Sequence, residues 1–534
     1  MSRLLAAAVA ALTLVFAPAA FAAKGFSYGV AAGDVKPRSA ILWAKASQSG
    51  RYTLIVLPAK GSHTRRAFAY VVRAKAANDD TVQRRVRGLE PNTRYRYQFL
   101  GKRGRHSDRG TFVTAPGRKA DATVEFAWSG DTDFSPAPGQ TAPYWNSGRI
   151  FRRMRAERND FNIHLGDTMY SDSEVPGALQ PIALTVGGKW AKYKTNLGNR
   201  HLARIRGSAG FYSHWDDHEF INDFSPAENT FSTGSGAAAT EVNINGRTLY
   251  RRGVRAFRDY APVTFSRSRG IYRSFRWGRN VELFFLDQRS FRDPKADDGG
   301  VCDNPQTGEP DLAPTGPQAT RNLFANVVPS LSQPVSQQCL DAIGDPDRDY
   351  LGNAQYRRFT RAIERSTARF KVIVNEMPIQ QYYVLPYDRW EGYAAERRRL
   401  LRFLSREVEN VVFLTTDVHA TLVNDARFQT LEPGGLRNSG ILDVTVGPVA
   451  TANYGLEIDS ETGGTGNGAL VDTAFFEPDP PAGVGMRCSI VDQFSYGQVK
   501  VTSRRLTITP RGIDGKRQRN GDRPCGPFVL EFKR

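Results

Sequence analysis

Six short apolar stretches of this 534-residue chain each run directly into an acidic, amide or histidine residue. Apolar runs of about four to eight residues are typical of strands buried on both faces. Because ligands gather where the ends of such strands meet loops, the pattern predicts one polar site at the edge of a helix-covered sheet. The six stretches with their polar ends are residues 126–131, 161–167, 211–218, 284–287, 372–376 and 413–419.

The second stretch leads into the sequence Gly166-Asp167-Thr168-Met169-Tyr170, which offers two candidate metal ligands. It places the carboxylate of Asp167 directly after a strand and the phenol of Tyr170 three residues later, within reach of a common point if the loop turns. A tyrosinate is a hard oxygen donor that suits a ferric ion. The structural alternative for this pattern is the capped start of a helix.

Two further strand ends carry candidate ligands. Residues 216–219 are four consecutive ionisable residues, which are costly to bury unless they are paired or bound to a metal. An exposed acidic loop is the alternative. Asp417 and His419 are two residues apart, so in an extended segment their side chains point the same way.

The first residues have the features of a secretory signal peptide. Arg3 supplies positive charge, residues 4–16 are apolar, and Ala20-Phe21-Ala22 fits a small-x-small cleavage site. A membrane anchor is the alternative, but the apolar run is shorter than the ~20 residues that a spanning helix needs. Because there is no twin arginine, we expect the general secretory route, cleavage after Ala22, and a periplasmic or secreted protein.

The four cysteines are consistent with an oxidising compartment. Cys302 and Cys339 have the same spacing, 37 residues, as Cys488 and Cys525. We therefore expect two local disulfides. A zinc site would need cysteines much closer together in the chain.

The chain is strongly basic, with a formal net charge of +19. Such a charge favours anionic partners, which include phosphate esters, nucleic acid, anionic lipid and cell-wall polymers. A solvated basic surface without a specific partner is the alternative.

The chain separates into two regions after the signal peptide. Residues 24–117 alternate short β-type segments with turns, and residues 89–95 resemble the fibronectin type III signature with its tyrosine corner. In residues 118–534 apolar strands alternate with helical patterns, such as 147–158 and 353–368, which indicates an α/β domain. The Pro- and Gly-rich residues at about 293–346 are predicted to be an insertion held by the first disulfide.

Taken in order, the ligand-bearing segments resemble those of the calcineurin-like metallophosphoesterases and, more closely, the alkaline phosphatase D (PhoD-like) family. The resemblance implies a four-layer α/β/β/α metallophosphoesterase sandwich, preceded by a small all-β fibronectin- or immunoglobulin-like domain. It also implies an exported phosphomonoesterase, phosphodiesterase or both, hydrolysing phosphate esters with a metal-activated hydroxide. The matching segments are YGVAAGD at 28–34, LW at 42–43, HLGD at 164–167, WDDHE at 215–219, LDQR at 286–289, WEGY at 390–393 and DVH at 417–419.

The resemblance implies two or more metal ions, with Asp167 bridging two of them. Where the family carries a cysteine ligand to iron, this chain has Asp131, as the wider superfamily does. Iron, calcium or both are expected from the resemblance, and manganese or zinc would also suit the ligands. The other expected ligands are Tyr170 and His419 on one ion, Asp217 with Asn222 on the other, and Asp417 completing the shell.

Two basic residues are expected to act on the phosphate. His218 would donate a proton to the leaving alkoxide, and Arg289 would hold the phosphoryl oxygens. The expected partners are phosphate-ester substrates, including an anionic polymer, and the protein is expected to be a monomer without a stable protein partner. The alternative function is a non-catalytic cell-wall or nucleic-acid binding protein that uses its basic surface.

Overall fold

The computed structural model describes residues 25–178, 181–233, 240–431 and 438–533. The predicted signal peptide, residues 1–22, lies outside these described residues. Within them, no helix combines the length and the apolarity that a membrane crossing requires.

Residues 25–117 form seven strands that alternate with turns. Three of them, β1, β2 and β5, hydrogen bond in one sheet, and the other four form a second sheet in the order β4-β3-β6-β7. The predicted tyrosine corner is present, because the backbone N–H of Glu90 donates to the hydroxyl of Tyr95 at 3.0 Å. The strands are β1 (Phe26–Lys36), β2 (Ser39–Ala46), β3 (Gly50–Pro58), β4 (Phe68–Ala74), β5 (Thr81–Arg87), β6 (Arg94–Leu100) and β7 (Gly110–Val113).

Most of the remaining strands lie in two large sheets, one of which also includes β1, β2 and β5. The other four strands form two small hairpins. They follow in chain order as β8 (Val124–Ser129), β9 (Phe161–Leu165), β10 (Gly210–His214), β11 (Thr230–Thr233), β12 (Thr240–Asn243), β13 (Arg273–Trp277), β14 (Val281–Phe285), β15 (Phe370–Val374) and β16 (Val411–Thr415). The last strands are β17 (Thr421–Arg427), β18 (Asn438–Thr445), β19 (Cys488–Ile490), β20 (Ser495–Val501), β21 (Arg505–Gly512), β22 (Arg519–Asn520), β23 (Arg523–Pro524) and β24 (Phe528–Glu531).

The helices lie between these strands. They are α1 (Arg149–Ala156), α2 (Val186–Leu197), α3 (Arg200–Arg206), α4 (Gly246–Tyr260), α5 (Gln318–Phe324), α6 (Gln337–Gly344), α7 (Asn353–Glu364), α8 (Ala394–Glu407), α9 (Tyr454–Glu461) and α10 (Asn467–Val471). The helical patterns predicted at 147–158 and 353–368 correspond to α1 and α7.

Both large sheets have parallel strands at their centre. The first has nine strands in the order β24-β21-β20-β8-β9-β10-β1-β2-β5, and β8, β9, β10 and β1 run parallel. The second has seven strands in the order β13-β14-β15-β16-β18-β17-β19, and β14, β15, β16 and β18 run parallel. All six predicted apolar strands are present in these parallel parts, so their carboxyl ends meet at one edge of each sheet. Because β1 pairs with β10, the leading region is continuous with the first sheet.

Three apolar cores hold the sheets and helices together. The inner core joins the facing sides of the two sheets and includes Phe126, Phe161, Val374 and Leu414. A second core packs α1, α2, α3 and α4 on the other face of the nine-stranded sheet, and a third packs α7 and α8 on the other face of the seven-stranded sheet. Burying each large apolar side chain stabilises the fold by about 1.5–3 kcal/mol. The prediction of a mixed α/β fold is confirmed.

Two disulfides are present, Cys302–Cys339 and Cys488–Cys525, so the predicted pairing is confirmed. The first lies within the predicted insertion, which contains α5 and α6, and packs against Ala296, Ile343 and Tyr387. The second joins β19 of the seven-stranded sheet to the segment just before β24 of the nine-stranded sheet.

Candidate metal centre

Close loop contacts bring the ends of the parallel strands together. The hydroxyl of Thr416, after β16, donates to the carbonyl of Leu165, at the end of β9, at 2.7 Å. The backbone at Gly166 passes so near the next loop that a Cβ there would lie 2.5 Å from the Cβ of Asp216. The carboxylate of Glu219 then ties these loops by accepting three backbone N–H bonds of 2.8–3.0 Å, including those of Asp216 and Asp167.

Four of the predicted ligands have left-handed backbone conformations. The φ angles are 61° at Asp131, 48° at Asp167, 71° at Asp417 and 54° at His419. For residues other than glycine this conformation costs about 1 kcal/mol or more, and it persists where the surrounding structure imposes it, often at functional sites. The turns point the four side chains inward from strands of both sheets.

The first ligand cluster joins strand ends of both sheets. One carboxylate oxygen of Asp131, one of Asp167 and one imidazole nitrogen of His419 all lie within 4.8 Å of one another. The hydroxyl of Tyr170 lies 3.1 Å from Nε2 of His419, so the predicted phenol reaches the same point. All four residues are buried.

The second ligand cluster consists of two overlapping sets of three residues, which have Asp217 in common. Ligand atoms of Asp167, Asp217 and His218 lie within 4.8 Å of one another, and so do those of Asp216, Asp217 and Asp417. The structure therefore places six of the predicted metal-binding residues in two adjacent groups, with Asp167 common to both sets of neighbours. Because Asp167 has candidate ligands on both sides, its carboxylate is placed where it could bridge two ions.

The electrostatics of the clusters fit bound cations. Burial raises the pKa of the Asp131 carboxyl to about 7, against the opposing charge of His419. Burial and neighbouring carboxylates also raise the pKa values of Asp167 and Asp417 well above the usual range. Oδ2 of Asp131 is buried without a hydrogen-bond partner among the described residues. A cation would satisfy this oxygen and offset the repulsion, and a donor set of hard oxygens with one imidazole suits iron, manganese, calcium or zinc.

His218 is held by a carboxylate that the sequence did not single out. Its Nδ1 lies 2.7 Å from Oδ1 of Asp172, its Nε2 lies 3.5 Å from Oε1 of Glu174, and its ring stacks on Tyr170 with centroids 4.0 Å apart. Burial lowers the pKa of the imidazole, but the charges of Asp172 and of nearby carboxylates outweigh burial and raise this pKa well above its usual value. The imidazole therefore keeps its proton to higher pH than an ordinary histidine does, and its role as proton donor stays a prediction.

Arg289 lies at the site but is enclosed by carboxylates. Its Nε donates to Asp216 at 2.5 Å and its Nη1 to Asp388 at 2.9 Å, and the residue has no exposed surface. Its Nη2 has no hydrogen-bond partner in the described part of the chain and lies 3.6 Å from Asp217 and 3.7 Å from Asp417. Its position indicates a counter-charge to the carboxylates. The role of Arg289 as a phosphate-binding fork stays a prediction.

The hydrogen bonds of Asn222 are made to groups outside the two ligand clusters. Its side-chain amide donates to the carbonyl of Ser232 at 3.5 Å, and its backbone N–H donates to Asp172 at 2.9 Å. In this structure Asn222 therefore supports His218 through Asp172, and its role as a metal ligand stays a prediction.

Three further acidic residues of the site were missed by the sequence reasoning. Glu457, on α9, pairs with Nδ1 of His419. Burial lowers the pKa of that imidazole, but the charges of Glu457 and Asp131 outweigh burial and raise the pKa to about 10. Glu174 also lies in the His419 group, and Asp388 forms a group with Asp217. The acidic spacing at 172–174, just after Tyr170, was a usable signal. No comparable signal precedes Glu457 or Asp388, because both come from segments distant in sequence.

Together, the mixed α/β sheets and the strand-end clusters, which could hold metal ions, define a fold and site of the metallophosphoesterase type. The PhoD-like phosphatase family model matches residues 135–508, and the model of the PhoD-like phosphatase N-terminal domain matches residues 10–116. The chain belongs to the PhoD-like phosphatase family. The resemblance inferred from the sequence is thus confirmed.

Individual relatives agree with this assignment. Alkaline phosphatase D of Bacillus subtilis (strain 168) is 24% identical over 448 residues, which are 75% of this chain and 65% of that protein. The chain thus spans just under two thirds of the length of that relative. The structure of PhoD matches with a TM-score of 0.69 at 19% identity, covering 93% of this chain and 88% of that chain. The purple acid phosphatase PPD1 from yellow lupin (Lupinus luteus) seeds has a similar fold, with a TM-score of 0.54 at 11% identity over 93% of this chain and 73% of that chain.

Proposed function

We propose that this protein is an exported, metal-dependent phosphoesterase that hydrolyses phosphomonoesters, phosphodiesters or both. The observation that carries the proposal is the convergence of Asp131, Asp167 and His419 within 4.8 Å, next to a second group built on Asp167 and Asp217. The predicted signal peptide at residues 1–22 supports export to the periplasm or medium. Phosphate-ester substrates, an anionic polymer among them, and a monomeric state are part of the same proposal.

The finer organisation belongs to this proposal as well. We propose a four-layer α/β/β/α catalytic domain at 118–534, with an insertion at about 293–346, after a fibronectin-like sandwich at 24–117. The three separate cores, one between the large sheets and one on the outer face of each, support the layering. The tyrosine corner at Tyr95 supports the fibronectin-like character of the leading region.

The residues divide into a metal-holding set and a phosphate-facing set. Two ions would supply positive charge that stabilises the phosphoryl group and activates water. His218 would hold the proton for the leaving oxygen at Nε2, since Asp172 fixes its Nδ1. The metal-holding residues would be Asp131, Asp167, Tyr170 and His419 on one side, and Asp167, Asp217 and Asp417 on the other.

A single substitution tests the proposal. Asp167→Asn keeps the shape of the side chain but removes the charge shared by both groups. We expect hydrolysis of a panel of phosphate monoesters and diesters to fall by on the order of a hundredfold or more, together with the metal content of the purified protein. Asp108→Asn, at an exposed position of the leading region, is the matched control. Undiminished hydrolysis by Asp167→Asn would overturn the proposal.

The non-catalytic alternative makes the opposite prediction. A cell-wall or nucleic-acid binding protein would bind its ligand without turnover and without dependence on metal. The assembled ligand set supports the enzyme instead, because a binding protein would gain nothing from burying more carboxylates than the cationic side chains around them can balance.

A further inference from the structure

A large cleft lies between the leading region and α4, away from the carboxylate clusters. Its volume is about 1070 Å³. One wall is formed by Thr81 and Gln83 of β5, and the other by residues of α4, with Val254 and Phe265 among the apolar residues that line it. The cleft is thus built by parts of the chain that are distant in sequence.

Four arginines line this cleft. Arg251, Arg255 and Arg258 follow one another at helical spacing on the exposed face of α4, and Arg267 lies on the segment that follows. None of the four forms an ion pair with a carboxylate of the described residues. Like charges four residues apart on a helix repel, so the arrangement is unfavourable without an anion. The carboxylate of Asp259 also lines the cleft, where it accepts from Asn78 and Trp190 at 2.7 and 3.1 Å and offsets part of the charge of Arg255 and Arg258. One carboxylate is too few to balance four arginines.

Several of these guanidinium groups are held in place. Arg255 donates to the carbonyl of Ala77, Arg251 donates to the hydroxyl of Thr248 at 2.8 Å, and the guanidinium of Arg258 lies 5.0 Å above the ring of Phe265. Guanidinium groups that are already oriented lose less entropy when they bind a phosphate in the two-pronged geometry they prefer. A cleft with walls of low polarity also concentrates their positive potential.

The opposite face of α4 supports the metal centre. Gly253 packs so closely on the loop after β10 that a Cβ there would lie 2.3 Å from the ring of Phe220, two residues after His218. Tyr250, which itself lines the cleft, hydrogen bonds through its hydroxyl to Ser290, next to Arg289, at 2.8 Å. The cleft and the loop that carries His218 are therefore both in contact with α4.

We infer that this cleft is a binding site for the phosphate groups of an extended phosphodiester chain, distinct from the metal centre. The four arginines would contact successive phosphate groups of the chain, so recognition would rest on phosphate rather than on the groups between the phosphates. The inference concerns binding and does not require the proposed catalysis. If both hold, the cleft would retain a polymeric substrate beside the catalytic loop.

Two triple variants separate a specific cleft from a general effect of net charge. The first changes Arg251, Arg255 and Arg267 to Gln. The control changes Arg398, Arg402 and Arg406 to Gln, which removes the same charge from an exposed helical stripe of α8. Thermal unfolding confirms that each variant is folded, and turnover of a small phosphate monoester should equal that of the unchanged protein in both.

Binding is measured by fluorescence anisotropy with two probes, a labelled oligothymidylate and labelled inorganic polyphosphate, over a range of salt concentrations. The cleft variant should bind both probes on the order of tenfold more weakly than the unchanged protein, with a salt slope smaller by about two to three. The control variant should bind nearly as well as the unchanged protein.

Three results would overturn the inference. Equal weakening in both variants would mean that only net charge matters. Binding of the oligothymidylate but not of polyphosphate would mean that the cleft recognises base or sugar rather than phosphate. Unchanged binding by the cleft variant would place the polyanion elsewhere on the protein. Because binding is read separately from turnover, a failure of the proposed phosphoesterase activity would not be mistaken for any of these.

Discussion

Asp172 fixes the imidazole of His218, with Oδ1 of the carboxylate 2.7 Å from Nδ1 of the ring. The other carboxylate oxygen accepts the backbone N–H of Asn222 at 2.9 Å, so the carboxylate is itself held on both sides. Both side chains are buried. The pair leaves Nε2 as the nitrogen that can deliver a proton to a substrate.

Replacing Asp172 by Asn should weaken proton donation by His218. We expect kcat for an alkyl phosphate to fall on the order of ten- to a hundredfold, and kcat for an aryl phosphate with an acidic phenol to fall much less, because that leaving group needs no proton. Loss of the carboxylate also lowers the pKa of His218, so the alkaline limb of the pH–rate profile should move to lower pH.

Asp133→Asn is the matched control for this variant, because Asp133 is a buried carboxylate that hydrogen bonds to Ser135 and Ser173 rather than to His218. It should leave the leaving-group dependence unchanged. An equal loss on both substrates, with an unmoved alkaline limb, would show that Asp172 has only a structural role.

Removal of metal should destabilise the protein most at alkaline pH. Burial raises the pKa of Asp131 to about 7, so the stabilising contribution of this carboxyl to the metal-free protein is full below about pH 4 and is lost as the pH rises to about 7. A divalent ion takes the place of the proton. We therefore expect added manganese, calcium or zinc to raise the Tm of chelator-treated protein markedly at pH 8 and little at pH 5. If these ions leave the Tm unchanged at pH 8, the proposed metal centre is contradicted.

The two disulfides allow an internal comparison. Both close loops with a sequence separation of 37, so chain entropy assigns each about 4 kcal/mol. Cys302 and Cys339 lie within one surface segment, whereas Cys488 and Cys525 connect the two sheets. Changing the first pair to Ser should make residues 293–346 sensitive to limited proteolysis with little change in Tm, and changing the second pair should lower the Tm of the whole protein. The reverse pattern would show that the insertion is part of the main cooperative unit.

Glu396 should make the stability depend on pH. Burial raises the pKa of this carboxyl to about 7, although the backbone N–H groups of Tyr350 and Leu351 donate to it. The neutral form is thus favoured in the folded protein, and stability is lost as the pH rises from about 4.5 to about 7, by at most about 3 kcal/mol. Glu396→Gln keeps an acceptor for both N–H groups without the charge.

Denaturant unfolding at several pH values measures this effect. The free energy of unfolding of Glu396→Gln, relative to the unchanged protein, should increase as the pH rises through this interval. A difference that does not vary with pH would mean that Glu396 ionises normally in the folded protein.

The strand ends explain why much of the site could be predicted. Asp131, Asp167 and Asp417 each follow an apolar run that can only be a buried strand, and parallel strands bring their carboxyl ends to the same edge of a sheet. Local spacing also placed Tyr170 near the first cluster. Knowing the order of these segments was enough to expect a shared site, even though the strands belong to two different sheets.

The remaining site residues depend on tertiary contacts that leave no local pattern. Glu457 reaches His419 because, at the start of α9, the backbone N–H of Tyr454 donates a hydrogen bond to the carbonyl of His419 at 3.0 Å. Asp388 meets Arg289 from an irregular segment about a hundred residues further along the chain. Sequence reasoning therefore expected Arg289, Asp217 and Asp417 at the site but not Asp388, which pairs with Arg289.

The parallel pairing of Ala32 with Gly210 has a consequence for biosynthesis. The first strand to emerge from the ribosome cannot complete its hydrogen bonds until β10 has been made, and until then one of its edges is open to other chains. A protein with such a long-range pairing is therefore open to aggregation until both strands have been made. A shortened gene that starts after residue 117 would leave β10 with the same uncovered edge, and the product should aggregate.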